Sequence, residues 1–183
     1  MEIVIERIRL LLLEPKQAWQ IIRDEDADTT ELVRSYLIYV AAVPPLSYFI
    51  GQLFFASPRM PLIPGLIAAI AFYILIFVAI VLAAFIINSV TIEFAITPHE
   101  TRAFRLVAYS STAPLLASVF FIFPAFASLS VLGFYGIYLF RTGLPVLLEC
   151  PEEKATPFTV VSVLIMVVLA ALTFGITQLL TCR

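Results

Sequence analysis

A long uncharged apolar run lies in the middle of the chain and limits what the chain can fold into. Between Gly65 and Ile87 the sequence holds no charged residue and consists almost entirely of aliphatic and aromatic side chains. The hydrocarbon core of a bilayer is about 30 Å thick and an α-helix rises about 1.5 Å per residue, so about 20 such residues cross it. The run therefore predicts a transmembrane helix.

The composition of the whole chain supports a membrane protein. Of its 183 residues, 62% are hydrophobic and 13% are charged, and the mean hydropathy is +1.05. Soluble domains carry about 25% charged residues, so this chain has too little polar surface to cover an aqueous globule. The same numbers exclude intrinsic disorder, a nucleic-acid-binding domain and a disulfide scaffold.

Five stretches are long and apolar enough to span a bilayer. They predict transmembrane helices at about 32–56, 65–92, 98–122, 126–148 and 157–180. The predicted fold is an all-α integral membrane bundle of five transmembrane helices over residues 31–183. Five spans cannot be divided into two equal inverted halves, which argues against many transporter folds.

Residues 1–30 are predicted to form a separate amphipathic segment on the cytoplasmic side. Apolar and charged residues alternate as far as Leu13, and Pro15 can begin a second short helix that carries Trp19. We expect one or two helices over 2–23 that lie on the membrane surface, with Trp19 as an anchor at the level of the lipid headgroups. The alternative is that these helices pack on the protein's own cytoplasmic face, and the two interpretations are compatible.

The basic residues predict the orientation of the bundle. With the N-terminus in the cytoplasm, nine of the 11 lysines and arginines fall on the inside and only Arg59 and Arg183 on the outside. This distribution follows the positive-inside rule. It predicts that the C-terminus lies on the side of the membrane opposite the cytoplasm. It also places Cys150 and Cys182 on opposite sides of the membrane, which excludes a disulfide between them.

Polar side chains inside the spans provide one candidate site. Arg141 lies inside the fourth predicted span, and charges at such positions are costly and often functional. We considered a polar cavity between spans one, three and four whose lining would be Tyr36, Tyr39, Tyr109, Tyr138 and Arg141. The plainer interpretation is that these tyrosines belong to an aromatic belt or to helix packing, and that Arg141 is an interfacial anchor or a structural pair.

The sequence predicts no catalytic site, cofactor or metal centre. It contains a single histidine, His99, and two cysteines, and no nucleophile–base arrangement can be proposed from their positions. Glu93, His99 and Glu100 fall on one predicted loop, but their spacing matches no known metal site. A glycine-rich phosphate loop is also absent from the sequence. We therefore expect a protein that is not an enzyme.

The order of several short motifs resembles a known family. Pro15-x3-Trp19-x2-Ile22 precedes the first span, Pro44-Pro45 lies within it, and Tyr138-Leu139-x3-Gly143-Leu144-Pro145 precedes Pro151-Glu152-Glu153-Lys154. Over about 15–180 this pattern resembles the bacterial branch of the YIP family, the Ypt/Rab-interacting integral membrane proteins. The resemblance implies five spans and a role in membrane organisation. The Asp-Leu-Tyr-Gly-Pro motif and long N-terminal segment of eukaryotic members are missing from this sequence, which argues against GTPase binding.

Two functions follow as hypotheses. The first is a non-catalytic protein that organises, shapes or scaffolds a bacterial inner membrane, with the lipid bilayer and further copies of itself as partners and no nucleic acid. The alternative is a small channel or transporter for an ion or small solute through a path lined by tyrosine and arginine.

Overall fold

In the part of the chain that the structure describes, five membrane-spanning helices follow two shorter N-terminal helices. A computed structural model describes residues 2–25, 28–56 and 60–181, and within these ranges every regular element is helical. The helices long and apolar enough to cross a membrane are span 1 (Thr29–Phe55), span 2 (Leu62–Phe94), span 3 (Glu100–Ile122), span 4 (Ala125–Leu147) and span 5 (Glu152–Leu180). The prediction of an all-α bundle with five spans is confirmed. Arg59 and Arg183, used above to predict orientation, and Cys182, predicted to lie on the face opposite Cys150, are outside the described residues.

The loops identify which span ends share one end of the bundle. The backbone N–H of His99 donates to Asn88 at 2.8 Å, and the Lys154 ammonium donates to the Phe94 carbonyl at 2.8 Å. Arg102 forms a salt bridge of 2.9 Å with Glu149. These contacts join the end of span 2 to the start of span 5, and the start of span 3 to the loop after span 4. We call this end, at which span 1 also begins, the N-side end.

Span 1 is not a single uniform helix. It contains π-helical turns at Val33–Leu37 and Gly51–Phe55, with α-helical segments Thr29–Leu32, Ile38–Ala41 and Val43–Ile50 around them. Pro44 and Pro45 occupy the first turn of the last α-helical segment, directly after a turn at Ala42. Proline is tolerated there because the first amide groups of a helix have no intrahelical acceptor.

Spans 3 and 4 form a closely packed antiparallel hairpin. Span 3 consists of the α-helical segments Glu100–Ser110 and Thr112–Ala117 and a 3-10 turn, Ser118–Ile122. Span 4 begins as a 3-10 segment, Pro124–Phe134, and continues as the α-helix Tyr135–Leu147. A Cβ atom added at Gly136 would lie 2.8 Å from the Ser110 carbonyl oxygen. The absence of a side chain at Gly136 therefore allows the two backbones to approach.

The N-terminal helices form a hairpin that lies along span 4. They are α1 (Glu2–Leu13) and α2 (Pro15–Asp24). The Leu12 carbonyl at the tip accepts a hydrogen bond from Tyr135 at 3.0 Å, whereas Trp19 faces Gly143. Positions 135 and 143 are about 12 Å apart along a helix, so the tip points from the N-side end toward the middle of the bundle.

The structure differs from the expected surface position of Trp19. The side chain is completely buried inside the protein, so it cannot contact lipid headgroups as an anchor. The physical reason is that Gly143 leaves a space on span 4 that the indole fills. Packing against the protein, the alternative interpretation, describes α2 as it stands in the structure.

The buried core is concentrated around span 3. In its apolar window 61% of residues are buried, compared with 17% in span 5. Large apolar side chains remain exposed along spans 2 and 5, as expected for helices that face lipid. Span 3 is thus the central helix, and the hairpin packs beside its N-side half.

Candidate functional site

A cluster of aromatic and charged side chains joins the N-terminal hairpin to the bundle. Its members come from α1, α2, the segment that follows α2, and spans 1, 3 and 4, and we call it the docking cluster. It comprises Arg7, Trp19, Glu25, Tyr36, Arg105, Tyr109, Thr112 and Thr142.

Trp19 is the apolar centre of the docking cluster. Its indole N–H donates to the Thr142 hydroxyl at 3.2 Å, and its ring meets Tyr109 edge-on with 6.3 Å between centroids. A Cβ atom at Gly143 would lie 2.5 Å from an indole carbon of Trp19. A buried indole needs both apolar contact and an acceptor for its N–H, and this position provides both.

Tyr36 and Tyr109 connect span 1 to span 3 within the cluster. Their ring centroids are 4.9 Å apart, and both side chains are buried. The Tyr36 hydroxyl shares a hydrogen bond of 2.7 Å with Thr112. Tyr36 lies in the π-helical turn of span 1, and such turns are frequent at functional positions.

Arg7 brings a cation from α1 to the same tyrosines. Its guanidinium forms a salt bridge with Glu25 and lies 5.8 Å from the centroid of the Tyr109 ring. Burial, the largest single influence, would lower the pKa of Arg7. The hydrogen bond to Glu25, together with the electrostatic effects of Tyr109, Glu25 and Tyr36, outweighs burial, so the pKa is raised and the side chain stays cationic. A second guanidinium nitrogen, Nη1, is buried without a hydrogen-bond partner.

Arg105 holds the end of α2 and was not identified from the sequence. It is 8% exposed, and its Nη1 donates to the carbonyls of Ile22 at 3.0 Å and Glu25 at 2.9 Å. These are carbonyls that a helix leaves unpaired at its C-terminal end. A signal was present, since Arg105 is a charge between Phe104 and Leu106 in the third predicted span.

The structure brings together only part of the sequence-predicted site. Tyr36 and Tyr109 are in contact, but Tyr39 is 52% exposed and Tyr138 is 46% exposed. The Tyr138 ring instead packs at a tilt against Tyr135, one turn earlier in the helix, with 5.3 Å between ring centroids. Arg141 lines a shallow surface pocket together with Tyr138 and Thr156. The five predicted residues thus do not line one common cavity.

The polar groups at the N-side loops do not assemble a metal centre in the described part of the chain. Glu93, His99 and Glu100 are each exposed, and no group of three potential ligands forms among the described residues. Cys150 is buried in the loop after span 4, and this burial raises the pKa of its thiol. A protonated thiol is a poor nucleophile at neutral pH.

The family match covers the hairpin as well as the spans. A family model described as the Yip1 domain matches residues 9–174, from inside α1 to span 5. The chain belongs to the Yip1 family. The Yip1 match includes Trp19, Tyr36, Arg105 and Tyr109, so most of the docking cluster lies within the family's domain. No curated protein and no solved structure shows a significant match to the chain.

Membership places the protein in a broad functional class. The Yip1 family is a family of membrane proteins without enzymatic activity, and the five apolar helices give this member a lipid environment and a multi-pass arrangement. The hydrogen bonds of Trp19 and Arg105 in the docking cluster join the N-terminal hairpin and the segment after it to spans 3 and 4.

Proposed function

We propose that this Yip1-family protein is a non-catalytic membrane organiser that shapes the bilayer through its N-terminal hairpin. The hairpin adds two helices beside the bundle at the N-side end only. A protein that is wider in one leaflet than in the other favours membrane curvature. The observation that carries the proposal is the fixed position of the hairpin, with Trp19 completely buried against Gly143.

The outer surface of the hairpin supports contact with lipid. Leu13 at the tip is 69% exposed and Ile5 on α1 is 61% exposed, while charged Arg9 and Glu14 are exposed nearby. Because the hairpin lies along span 4, these side chains face the headgroups and acyl chains that surround that span. The docking cluster would hold the hairpin rigidly against the bundle. When the exposed surface of the hairpin inserts into lipid, the membrane would therefore bend, because the hairpin cannot move.

The orientation of the protein and the membrane in which it acts are also part of the proposed function. We propose that the N-side end faces the cytoplasm of a bacterial cell and that the wider leaflet is the cytoplasmic one. The basic residues Arg34, Arg102, Arg105 and Lys154 on that end support this orientation. When several copies of the chain assemble, the membrane curvature that each copy favours would add up.

Membrane tubes pulled from giant vesicles test the proposal. A variant with Cys150→Ala, Cys182→Ser and the exposed Thr97→Cys is labelled from outside with an impermeant dye, so that only molecules with the N-side end outward are seen. We expect these molecules to be enriched in the tube relative to a lipid dye. Equal density in the tube and in the flat membrane would contradict the proposal.

Two double variants in that background distinguish the effect of the exposed apolar side chains from the effect of added charge. Ile5→Glu with Leu13→Glu removes exposed apolar side chains and should abolish the enrichment. Gln17→Glu with Gln20→Glu adds the same charge at exposed positions of α2 and should retain it. If both variants behaved alike, the apolar surface of the hairpin would not be the cause.

Flux measurements on the same vesicles test the channel hypothesis. The contact between Tyr36 and Tyr109 fills the space between spans 1 and 3, which argues against a path there. We expect no flux of potassium ions or protons above that of protein-free vesicles. A flux that Arg141→Ala removes would support the channel instead of the membrane organiser.

A further inference from the structure

Arg141 is a charged residue inside span 4 that has no partner among the described residues. Its side chain is partly buried, and it forms neither a salt bridge nor a side-chain hydrogen bond within the part of the chain that the structure describes. A charge inside a membrane span is costly unless it pairs or reaches the interface. A negatively charged partner from outside the protein would therefore stabilise Arg141.

The shallow pocket that Arg141 lines is a groove between spans 4 and 5, on the outside of the bundle. Its lining residues are Phe134, Ile137, Tyr138 and Arg141 from span 4 and Thr156, Thr159 and Val160 from span 5. Phe134 is 64% exposed and Val160 is 54% exposed. The groove therefore faces the surrounding lipid and not the interior of the bundle.

The groove is polar near the N-side end and apolar farther from it. Arg141 lies six residues before Leu147 at the end of span 4, and Thr156 lies four residues after Glu152 at the start of span 5. At about 1.5 Å per residue, both are about 6–9 Å from the N-side end, whereas Phe134 is about 20 Å from it. The groove thus occupies the N-side half of the bundle.

The loop after span 4 provides a second indication of where the guanidinium lies. Burial raises the pKa of the Cys150 thiol in this loop, and the positive charge of Arg141 opposes that effect. The guanidinium is therefore close enough to the N-side loop to act on it electrostatically. A long arginine side chain can place its charge at this level while its stem stays among apolar groups.

The polar end of the groove suits an anion. Arg141, Thr156 and Tyr138 provide hydrogen-bond donors there, and the described lining contains no acidic residue. The planar guanidinium group of arginine can form two parallel hydrogen bonds with a phosphate group. Charge complementarity thus favours a phosphate at this end.

The length of the groove suits an acyl chain of the N-side leaflet. A headgroup layer is about 5–8 Å thick, and half of the hydrocarbon core is about 15 Å thick. With the N-side helix ends at the membrane surface, Arg141 lies where headgroups meet acyl chains and Phe134 lies near the midplane. The seven residues between them correspond to about 10 Å of groove.

We propose that this groove binds one phospholipid of the N-side leaflet, with Arg141 donating hydrogen bonds to the phosphate and one acyl chain lying along Ile137 and Val160 toward Phe134. The Thr156 hydroxyl is a further donor at the phosphate. The inference is independent of the curvature proposed above, because no described residue of the hairpin lines the groove.

A photoreactive lipid tests the site. The protein is placed in nanodiscs that contain phosphatidylglycerol with a diazirine midway along one acyl chain, and adducts are mapped by mass spectrometry after illumination. Adducts on Phe134 are divided by those on Val81, which is exposed on span 2, also 13 residues before the N-side end of its span. This ratio corrects for labelling by ordinary surrounding lipid.

Diacylglycerol with the same chains lacks the phosphate and serves as the comparison. We expect the ratio to be about tenfold higher for phosphatidylglycerol, the value of one hydrogen bond to a charged group. Equal ratios for the two lipids would overturn the proposal.

Two arginines at the N-side end provide a matched pair of variants. Arg34 is exposed near the start of span 1 and does not line the groove. Arg141→Ala should lower the ratio for phosphatidylglycerol to that for diacylglycerol, whereas Arg34→Ala should leave it unchanged. The same ratio in both variants would contradict a phosphate held by Arg141.

Two valines on span 5 test the apolar part of the groove without changing a charge. Val160 lines the groove, whereas Val168 does not, although it is 56% exposed. Val160→Phe should fill the groove and lower the ratio severalfold, and Val168→Phe should retain the wild-type ratio. An unchanged ratio in Val160→Phe would contradict an acyl chain at this position.

Excess inorganic phosphate in the buffer distinguishes a lipid phosphate from a soluble one. We expect the adducts on Phe134 to persist, because the apolar part of the groove holds the acyl chain. Loss of these adducts on addition of inorganic phosphate would show a site for soluble phosphate and overturn the proposal.

Discussion

Gly143 shows how a single residue can determine where a helix docks. It lies on span 4 opposite Trp19, and an added Cβ would come within 2.7 Å of a second indole carbon and 2.8 Å of a Leu106 methyl group. The tryptophan ring cannot move away easily, because Tyr109 and Thr142 also contact it. The smallest side chain is therefore required at this position for the largest one to be buried.

We expect Gly143→Ala to destabilise the docked hairpin. Inserting one carbon into a well-packed site costs about 1–3 kcal/mol, and here it would displace Trp19. Thermal unfolding in detergent, followed by circular dichroism, measures the loss.

Gly175→Ala serves as the control for this substitution. Gly175 lies inside span 5, with no atom within 4 Å of an added Cβ, so the same change should be neutral or slightly stabilising. A loss of stability as large as that of Gly143→Ala would show that the effect does not come from the contact with Trp19.

Individual side chains were the part of the site that sequence reasoning predicted least well. The sequence predicts Tyr36 and Tyr109 as polar residues inside spans, and the two rings are in contact. The same pattern predicts Tyr39 and Tyr138 at such a site, yet both side chains are about half exposed. The helical repeat gives the angular spacing of residues on one helix, but it does not tell which neighbour each face meets.

At the scale of elements, the hairpin illustrates an ambiguity of amphipathic patterns. The apolar residues of α2 predict a helix with one buried face, and Pro15–Asp24 is such a helix, with Ala18, Trp19 and Ile22 buried. The pattern is the same whether that face meets lipid or protein. Contacts distant in sequence, such as that of Arg105 with Ile22, decide between the two.

We expect Arg105→Ala to release the end of α2 from span 3. The variant loses the hydrogen bonds to the Ile22 and Glu25 carbonyls, and hydrogen bonds to charged groups contribute about 1.5–3 kcal/mol each. Hydrogen–deuterium exchange should become faster in α2 while spans 2 and 5 stay protected.

Arg102→Ala provides the comparison on the same helix. Arg102 is one turn earlier in span 3, and its partly exposed side chain pairs with Glu149 in a loop away from α2. Exposed pairs contribute about 0–1 kcal/mol, so exchange in α2 should remain as in the wild type. Unchanged exchange in both variants would mean that Arg105 does not hold the hairpin.

At the scale of the whole molecule, the sequence predicts the number of spans well because the bilayer imposes a length on each one. The uncharged run after Gly65 lies within span 2 (Leu62–Phe94). The start of span 5 was predicted at 157, but the helix begins at Glu152. Charged residues such as Glu153 and Lys154 continue the helix beyond the apolar part, which hydropathy alone does not reveal.

We expect the N-side end to face the cytoplasm in a cell that carries the protein in its plasma membrane. In a background with Cys150→Ala and Cys182→Ser, Thr97→Cys at the N-side end should resist an impermeant maleimide on intact cells. Pro61→Cys at the opposite end should react, and both native residues are exposed. Labelling of Thr97→Cys alone would reverse the orientation.

The burial of Trp19 has a practical consequence, because the chain contains one tryptophan. Its intrinsic fluorescence originates from the junction between hairpin and bundle, with no other indole to obscure it. A docked hairpin corresponds to blue-shifted emission that aqueous quenchers do not reach, and a released hairpin to a red shift. The protein thus contains its own spectroscopic reporter, with which docking can be followed in a lipid bilayer without a label.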